Sequence, residues 1–305
     1  MKRMLWIVVG SLAVFALAGC AANPDAAGNV RADVITALSG EPNAGFARAY
    51  TPITLNFPQD HGAHPEFQTE WWYYTGNLED ADGQRFGYQF TIFRNALTPT
   101  LPARASDWAT NQVYMAHFGL THVAQGEHVA FERYSRGGAG LAGASGSPAY
   151  AVWLEDWAAR EIEPGATHIT ATALHPDTGQ PFAVDLTLRE TRAPVLHGDA
   201  GLSQKGPEAG VASYYYSLVN METTGSVTYA GATVAVTGAS WMDHEFGTNA
   251  LSAEAVGWDW FSLTLDNGAV LMFAQIRART GGQLDEFEGT LVYSDGRQVS
   301  IRADD

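Results

Sequence analysis

The stretch QTEWWYYTGNL, residues 68–78, places a glutamate and four large aromatic residues in succession. Successive side chains of a β-strand point to opposite faces, so a strand with one face in water alternates apolar and polar residues. In this stretch Glu70, Trp72 and Tyr74 share one face, and the aromatic residues between them share the other. The sequence therefore predicts a strand that is covered on both faces. It is either part of an aromatic β core or the wall of a ligand cavity.

Similar strand signals recur along the chain, each bounded by Gly, Asp, Asn or Pro, whereas sustained helical periodicity is scarce. One set runs from about residue 69 to 191 and a second from 213 to 302, separated by an irregular segment at 193–210. Closely spaced strands joined by short turns build antiparallel barrels, which hide their edges. We therefore predict an all-β protein with two sets of strands, each of a kind that builds a barrel. Trp71 and Tyr73 should meet the second barrel or another layer, and the opposite face should line a lumen or bury a polar network, although alternation alone also allows the two faces to be exchanged.

The N-terminus predicts export. Lys2 and Arg3 precede an apolar run, residues 5–18, which ends in LAGC at Cys20. This pattern is typical of a secretory signal peptide, predicted here at residues 1–19. It also resembles a bacterial lipoprotein signal, in which the cysteine becomes lipidated. An ordinary signal peptide with a coincidental cysteine is the alternative.

Lipidation of Cys20 implies stable membrane attachment, because a protein with two or more acyl chains does not readily leave a bilayer. Ala21 rather than aspartate follows the cysteine, and by the sorting pattern of such lipoproteins this favours the outer membrane, facing the periplasm. Residues 20–49 are rich in small and polar residues and predict a flexible tether after the lipidated N-terminus. We therefore expect a bacterial cell-envelope protein that contacts the membrane through Cys20.

Composition excludes several classes of protein. The 305 residues are 46% apolar and carry a net charge of −16, which is a globular composition with an acidic surface. Nucleic acid is not an expected partner, because phosphate binding needs clustered Lys and Arg. Cys20 is the sole cysteine, so no disulfide within the chain can stabilise the fold. The length favours two units with separate cores.

The stretch GASWMDHEFGTN, residues 238–249, contains the candidate catalytic residues Asp243, His244 and Glu245. Strand alternation would turn Asp243 and Glu245 to one face and His244 to the other. A carboxyl group that is desolvated beside an aromatic side chain has a raised pKa and can act as a general acid near neutral pH. The alternative is a structural cluster of ion pairs.

Other motifs give no support for a cofactor or a metal, and neither is predicted. His117 and His122 lie five residues apart, so a strand would place them on opposite faces. GAGLAG, residues 138–143, matches a dinucleotide-binding pattern by its letters, but no helix is predicted after it. The sequence contains neither a Gly-x-Ser-x-Gly nor a His-Glu-x-x-His motif.

Six stretches in order resemble the AttH-like group of the carotenoid 1,2-hydratase (hydroxyneurosporene synthase) superfamily: QTEWWYYTGNL, FGYQFTIFRNAL, YMAHFGLTHV, YYYSLVN, WMDHEFG and GWDWFSLTLDNG. The resemblance runs from about Tyr50 to Ile301. It implies two lipocalin-like β-barrels packed together, which we assign to residues 50–210 and 211–305. The group normally continues with further strands, so the second barrel is expected to be incomplete. WMDHEFG is typical of the AttH-like branch rather than of the authentic carotenoid hydratases.

These observations leave several functions open. Because binding demands the fewest coincidences, the first hypothesis is a membrane-anchored, lipocalin-like lipoprotein that binds an apolar, lipid or isoprenoid-like molecule. The second is a hydratase-type lyase, in which Asp243 or Glu245 protonates an isoprenoid double bond, His244 orients water and aromatic faces stabilise the carbocation. A structural or interaction lipoprotein is the third, and the secreted hydrolase suggested by the group's usual label is the fourth. The candidate ligand-binding residues are Glu70, Trp72, Tyr74, Tyr88, Gln89, His117, Tyr214, Tyr216, Trp258 and Trp260.

Overall fold

The computed structural model describes residues 45–101, 103–248, 251–252 and 254–301. The predicted signal peptide, Cys20 and the predicted tether up to residue 44 lie outside this part of the chain. None of the described helices has the length and apolar character needed to cross a membrane.

The described residues form β-strands and short 3-10 turns, which confirms the all-β prediction. The 3-10 turns are Gln59–His61, Val123–Gln125 and Gly138–Gly140. The strands are β1 Thr69–Asp80, β2 Arg85–Ala96, β3 Gln112–His122, β4 Glu127–Arg136, β5 Ala142–Ser145, β6 Ala151–Leu154, β7 Trp157–Glu163, β8 Ala166–Leu174, β9 Pro181–Arg189, β10 Val195–Leu196, β11 Leu202–Gln204, β12 Ala212–Tyr229, β13 Ala232–Gly247, β14 Ala255–Thr264, β15 Val270–Ala278, β16 Gln283–Val292 and β17 Gln298–Ile301.

The strands form two antiparallel sheets. The larger is a 13-stranded, nearly closed barrel in the order β4-β3-β2-β1-β13-β12-β9-β8-β7-β6-β5, with β10 and β11 paired to β12. The smaller has four strands in the order β14-β15-β16-β17. Strands β14 and β15 are joined by a short hairpin, where Gly268 has φ = +77°, a conformation that glycine adopts readily.

The division between the sheets does not coincide with the boundary predicted at residue 210. Strands β12 and β13, residues 212–247, complete the large sheet, because β13 pairs with the whole length of β1 and β12 pairs with β9. The irregular segment 193–210 contributes β10 and β11 to the same sheet rather than serving as a linker. The smaller sheet begins only at Ala255.

The opening strand β1 is covered on both faces, as its sequence predicts. Trp72 and Tyr74 belong to the main hydrophobic core inside the barrel, at 0% and 1% exposure. On the outer face, the ring of Tyr73 contacts Trp260 of the smaller sheet edge to face at 5.5 Å, and Trp71 packs on the cluster that includes Ile276. The outer aromatic residues of β1 therefore contact the second sheet.

Gly76 of β1 gives us a test of this packing. A Cβ atom at this position would lie 2.5 Å from Cε1 of Tyr88 and 2.6 Å from Oγ of Ser240, two groups that hydrogen-bond to each other at 2.8 Å. Gly76→Ala should therefore lower the free energy of unfolding by about 1–3 kcal/mol, the usual cost of overpacking a core. Chemical denaturation should show a lower midpoint with an unchanged m-value.

Gly87→Ala on the neighbouring strand is the matched control. Its Cβ would meet nothing closer than 3.7 Å. If Gly76→Ala were as stable as Gly87→Ala, the close approach of Tyr88 to β1 would be wrong.

Candidate functional site

The centre of the candidate site is the carboxylate of Glu70, which is 0% exposed. It accepts hydrogen bonds from Nε of Arg94 at 2.8 Å and Nε2 of His244 at 2.8 Å. His64 donates from its backbone N–H at 2.9 Å and contacts the carboxylate through Nδ1 at 2.7 Å. An isolated buried carboxylate would be very costly, so these partners allow Glu70 to remain charged inside the barrel.

Strand register brings these side chains together. Glu70 of β1 lies opposite Arg94 of β2, and on the other side of β1 Trp72 pairs with His244 of β13. His244 in turn lies opposite Tyr216 of β12. Directly opposed residues of an antiparallel pair have neighbouring side chains on one face. Four adjacent strands therefore present these side chains to the same end of the barrel interior.

A chain of hydrogen bonds leads from Glu70 to His61. The hydroxyl of Tyr216 lies 2.7 Å from Nδ1 of His244 and 2.6 Å from Nδ1 of His61. An ionised carboxylate only accepts, so Nε2 of His244 donates to Glu70 and Nδ1 of a neutral His244 accepts from Tyr216. The Tyr216 oxygen then accepts from Nδ1–H of His61. This assignment leaves Nε2 of His61 as a hydrogen-bond acceptor. It lies at the end of the chain of hydrogen bonds Glu70–His244–Tyr216–His61, which we call the relay.

The pKa directions agree with this assignment. Burial and the nearby His244 lower the pKa of His61 to about 3, and burial also lowers the pKa of His244, so both rings are neutral near pH 7. Burial alone would raise the pKa of Glu70, but the charge of Arg94 and the histidine hydrogen bonds outweigh it and hold the pKa well below its usual range. Burial also opposes protonation of His64, yet its contacts with Glu70 raise the pKa of that ring.

His64, Glu70 and His244 place three ligand atoms within 4.8 Å of one another, an arrangement that could hold a metal ion. Both imidazoles, however, lie at hydrogen-bond distance from the same carboxylate oxygen, and Arg94 holds the other oxygen. A guanidinium group at the carboxylate repels a cation and competes with it for the negative charge. We therefore interpret the cluster as a hydrogen-bond network.

His61 lies at a recess of about 250 Å³, a volume that includes solvent at its mouth. Trp72 holds the backbone of His61 in place through a 2.8 Å hydrogen bond from its indole nitrogen. Most of that volume is open solvent, and the enclosed part has room for about one water-sized group, so the recess suits one small polar group of a ligand rather than a whole molecule. The other residues that line it include Tyr150, Glu161, Glu190, Leu218 and Met242.

Two carboxyl groups in the recess differ in their environments. Glu161 accepts a 3.0 Å hydrogen bond from the backbone N–H of Tyr150. Burial and the charge of Glu161 raise the pKa of Glu190. Glu190 therefore retains its proton to higher pH and can serve as an acid in the same recess that contains the neutral base His61.

Some of the residues predicted from sequence meet at the relay and others lie away from it. The relay and its surroundings include Glu70, Trp72, Tyr74, Tyr216 and His244. Other predicted residues lie away from the relay. Tyr88 bonds to Ser240 in the barrel core, and Tyr214 bonds to the backbone of Thr51. On the outer face, Gln89 bonds to Tyr73, His117 contacts Phe93, and Trp258 and Trp260 pack between the sheets.

The predicted catalytic group Asp243, His244 and Glu245 is divided between the two faces of β13. His244 belongs to the relay, whereas Asp243 and Glu245 face the smaller sheet. Asp243 accepts hydrogen bonds from Ser217 and from the indole of Trp241, the latter at 2.7 Å. Glu245 lies 3.1 Å from the ammonium group of Lys205. The two carboxyl groups therefore form a polar cluster separate from the relay.

Sequence reasoning missed His61, His64, Arg94 and Tyr150. The signal for the first two was QDHGAH, residues 59–64, which places two histidines immediately before the aromatic strand. Arg94 is a single charge at the end of an otherwise aromatic strand, and its alternation puts it on the buried face with Phe90 and Ile92. A charged residue on a buried face implies a buried partner of opposite charge, which is Glu70.

The fold and the site define a class: a lipocalin-like all-β protein with a buried Glu–His–Tyr–His relay that opens on a small recess. The chain belongs to the AttH-like family, whose model matches residues 48–305. The crystal structure of a protein assigned as an AttH (NE1406) from Nitrosomonas europaea is 31% identical, with a TM-score of 0.73 over 85% of this chain and 76% of that one.

The fold is also similar to that of kievitone hydratase from Nectria haematococca, with 13% identity and a TM-score of 0.57 over 86% of this chain and 72% of that one. At this level of identity the likeness concerns the fold alone. No protein of curated function matches the sequence. The predicted family membership and the lipocalin-like fold are thus confirmed.

The environment of Asp243 predicts a dependence of stability on pH. Burial raises the pKa of this carboxyl group from its ordinary 3.8 to about 7. Between these values the folded chain holds a proton that the unfolded chain has lost, so this group lowers stability as pH rises toward 7. Asp243→Asn resembles the protonated form and should be close to wild type near pH 4 and more stable at pH 8. Denaturant unfolding at both pH values measures the difference.

Asp82→Asn, at an exposed turn position, is the control and should show a difference that hardly changes with pH. A stability difference for Asp243→Asn that stayed constant from pH 4 to pH 8 would contradict the raised pKa of Asp243.

Proposed function

We propose that this protein is an acid–base enzyme of the hydratase or lyase type, acting on a small uncharged molecule in the recess. The observation that carries the proposal is the relay from Glu70 through His244 and Tyr216 to His61. It fixes the tautomer of two neutral histidines and leaves Nε2 of His61 as an unprotonated nitrogen at the recess, which can take a proton as the relay passes the positive charge toward Glu70. An oriented imidazole next to a reacting group is the usual general base of proteins.

Addition of water to a carbon–carbon double bond requires both a base and an acid. Nε2 of His61 takes a proton from water while the water oxygen bonds to one carbon, and Glu190 gives its proton to the other carbon. One water is added, and the proton now on His61 returns to Glu190 through solvent. The ionised Glu70 stabilises the positive charge that develops along the relay, as a carboxylate behind a histidine does in catalytic triads.

Relatives add limited support. One structural relative is named a hydratase, but its 13% identity makes that a likeness of fold. The acid in this proposal is Glu190 rather than Asp243 or Glu245, because those two carboxyl groups face the smaller sheet. The aromatic residues of β1 serve mainly to bury the relay.

A binding function without turnover is the second candidate. Leu218 and Met242 give the recess an apolar side, which suits an apolar ligand or the apolar part of one. A carrier of this kind would use the recess as a binding site and the relay as structural support. It differs from the enzyme in predicting that the bound molecule is released unchanged.

The decisive experiment compares Tyr216→Phe with Tyr88→Phe. Both remove one buried tyrosine hydroxyl, but only the first interrupts the relay. Alkenes and unsaturated carbonyl compounds are incubated in isotopically labelled water, and mass spectrometry measures incorporation of the label. Loss of general-base function should lower kcat of Tyr216→Phe by about 10²–10⁴-fold. Tyr88→Phe should stay close to wild type.

His61→Gln should lose activity to a similar extent. If the wild type incorporated label while both Tyr216→Phe and His61→Gln were unaffected, the relay would not be catalytic. If native mass spectrometry found an apolar ligand released unchanged and no labelled product formed, the carrier would replace the enzyme.

We further propose that the protein is a lipoprotein anchored through Cys20 on the periplasmic face of the outer membrane. The N-terminal signal supports this location. Cys20→Ala should move the protein from the membrane fraction to the soluble fraction, and mass spectrometry of the wild type should find acyl chains on Cys20. Ala21→Asp is the sorting control and should shift the protein toward the inner membrane. A mature wild-type chain that begins at another residue would contradict the proposal.

A further inference from the structure

The hydroxyl groups of Tyr74 and Tyr150 form a pair with one hydrogen atom to spare. Their oxygens lie 2.7 Å apart, and within the described residues this contact is the only hydrogen bond that either hydroxyl makes. Each phenol carries one hydrogen, and only one of the two can lie between the oxygens. The other must be donated elsewhere, because a buried donor without an acceptor is destabilising.

The position of the two tyrosines indicates which hydrogen is spare. Tyr74 lies on β1 inside the barrel at 1% exposure, whereas Tyr150 lines the recess, with its ring 5.7 Å from the ring of His61. Tyr74 therefore donates to Tyr150, and the Tyr150 hydroxyl is available to a molecule in the recess. Burial raises the pKa of both phenols, so both groups keep their hydrogens and act as donors.

We propose that Tyr150 donates this hydrogen bond to a carbonyl oxygen of the substrate, and that the substrate is an uncharged α,β-unsaturated carbonyl compound. This inference rests on the proposed function and names the substrate class of the same site. Tyr150 is then a catalytic residue that contacts the reacting molecule. Tyr74 is a positioning residue that acts through Tyr150.

A conjugated carbonyl group gives the three polar groups of the recess complementary roles. His61 takes a proton from water as the water oxygen bonds to the β-carbon. The electron pair of the double bond moves toward the carbonyl oxygen, which gains negative charge and is stabilised by the Tyr150 hydrogen bond. Glu190 then protonates the α-carbon, and the carbonyl group is restored. A donor placed where charge develops is among the most effective catalytic devices in proteins.

The charge and the size of the recess favour the same class of substrate. The charge of Glu161 lies in the recess beside the protonated Glu190, so a free carboxylate or phosphate would be repelled. The enclosed part of the recess has room for about one water-sized group, so it admits the carbonyl oxygen of a ligand whose remaining atoms lie at the mouth, but not a whole long-chain isoprenoid. An isolated alkene would also leave the spare hydrogen of Tyr150 without an acceptor, whereas the carbonyl oxygen accepts it.

A binding experiment tests the carbonyl contact without turnover. Pentanone with an isotope-labelled carbonyl carbon serves as an inert probe, and its infrared stretching band is recorded with the full chain. Hydrogen bonding should shift the band of the bound ketone to lower frequency. Tyr150→Phe should abolish this shift, Tyr74→Phe should reduce it because the Tyr150 oxygen loses the hydrogen bond that polarises it, and Tyr88→Phe should leave it unchanged.

A kinetic experiment tests the substrate class. Pentenone and pentene differ in the carbonyl oxygen, and hydration of each is measured in the wild type and in Tyr150→Phe. We expect hydration of pentenone alone, and a fall in kcat of about 10²–10³-fold in Tyr150→Phe, the usual cost of losing one donor to a developing oxyanion. Tyr74→Phe should lower kcat less.

The two experiments separate this inference from the proposed function. A bound ketone whose band shift is absent, or is unchanged in Tyr150→Phe, overturns the substrate class whether or not turnover is found. Hydration of pentene that depends on His61 and is insensitive to Tyr150→Phe also overturns the substrate class but leaves the acid–base enzyme standing. Hydration of pentenone that is unaffected by Tyr216→Phe and His61→Gln contradicts the proposed function instead.

Discussion

The buried ion pair between Glu70 and Arg94 is the interaction on which the site depends. Arg94 is 1% exposed and satisfies its remaining donors on Gln112 and on the backbone oxygens of His64 and Phe67. Without Arg94, burial would favour the neutral form of Glu70, and a protonated carboxyl could donate to a histidine nitrogen. The direction of every hydrogen bond from Glu70 to the recess therefore follows from the charge of one arginine. Removing one member of such a pair costs about 3–5 kcal/mol, so the pair couples the state of the site to the stability of the barrel.

Strands β12 and β13 support two polar networks at once, one on each face. Tyr216 lies opposite His244 and points into the barrel, while the next pair, Ser217 opposite Asp243, points toward the smaller sheet. Since the two faces alternate residue by residue, neighbouring side chains in sequence belong to different networks. This explains why the three consecutive residues 243–245 belong to two networks in the structure, as alternation along the strand predicts. The outer network ties the smaller sheet to the barrel, because His197 bonds both to Ser217 and to Thr290 of β16.

The sequence could predict the features of the fold and of the site that depend on strand alternation and on turn chemistry. The two covered faces of β1, the division of His244 from Asp243 and Glu245, and the raised pKa of Asp243 all follow from period-two geometry and desolvation. Pairing of strands distant in sequence could not be predicted in this way. The partners of β1 include β13, and Glu70 meets His244 across 174 positions. For the same reason turn signals could not assign β12 and β13 to the larger sheet, since they locate the ends of strands but do not state which strands pair.

The interior of the barrel bears on the choice between a carrier and an enzyme. Lipocalin-like barrels of about eight strands have an interior that side chains fill or that holds one small ligand. Here Trp72, Phe90 and Phe118, each 0% exposed, occupy the interior together with the rest of the main core. A carrier of a long apolar molecule would need that aromatic volume to be empty. The same aromatic packing excludes water from the relay, which strengthens its hydrogen bonds and keeps both histidines neutral. The filled core therefore leaves the barrel little room for a long ligand and supplies the low-polarity surroundings that an acid–base site requires.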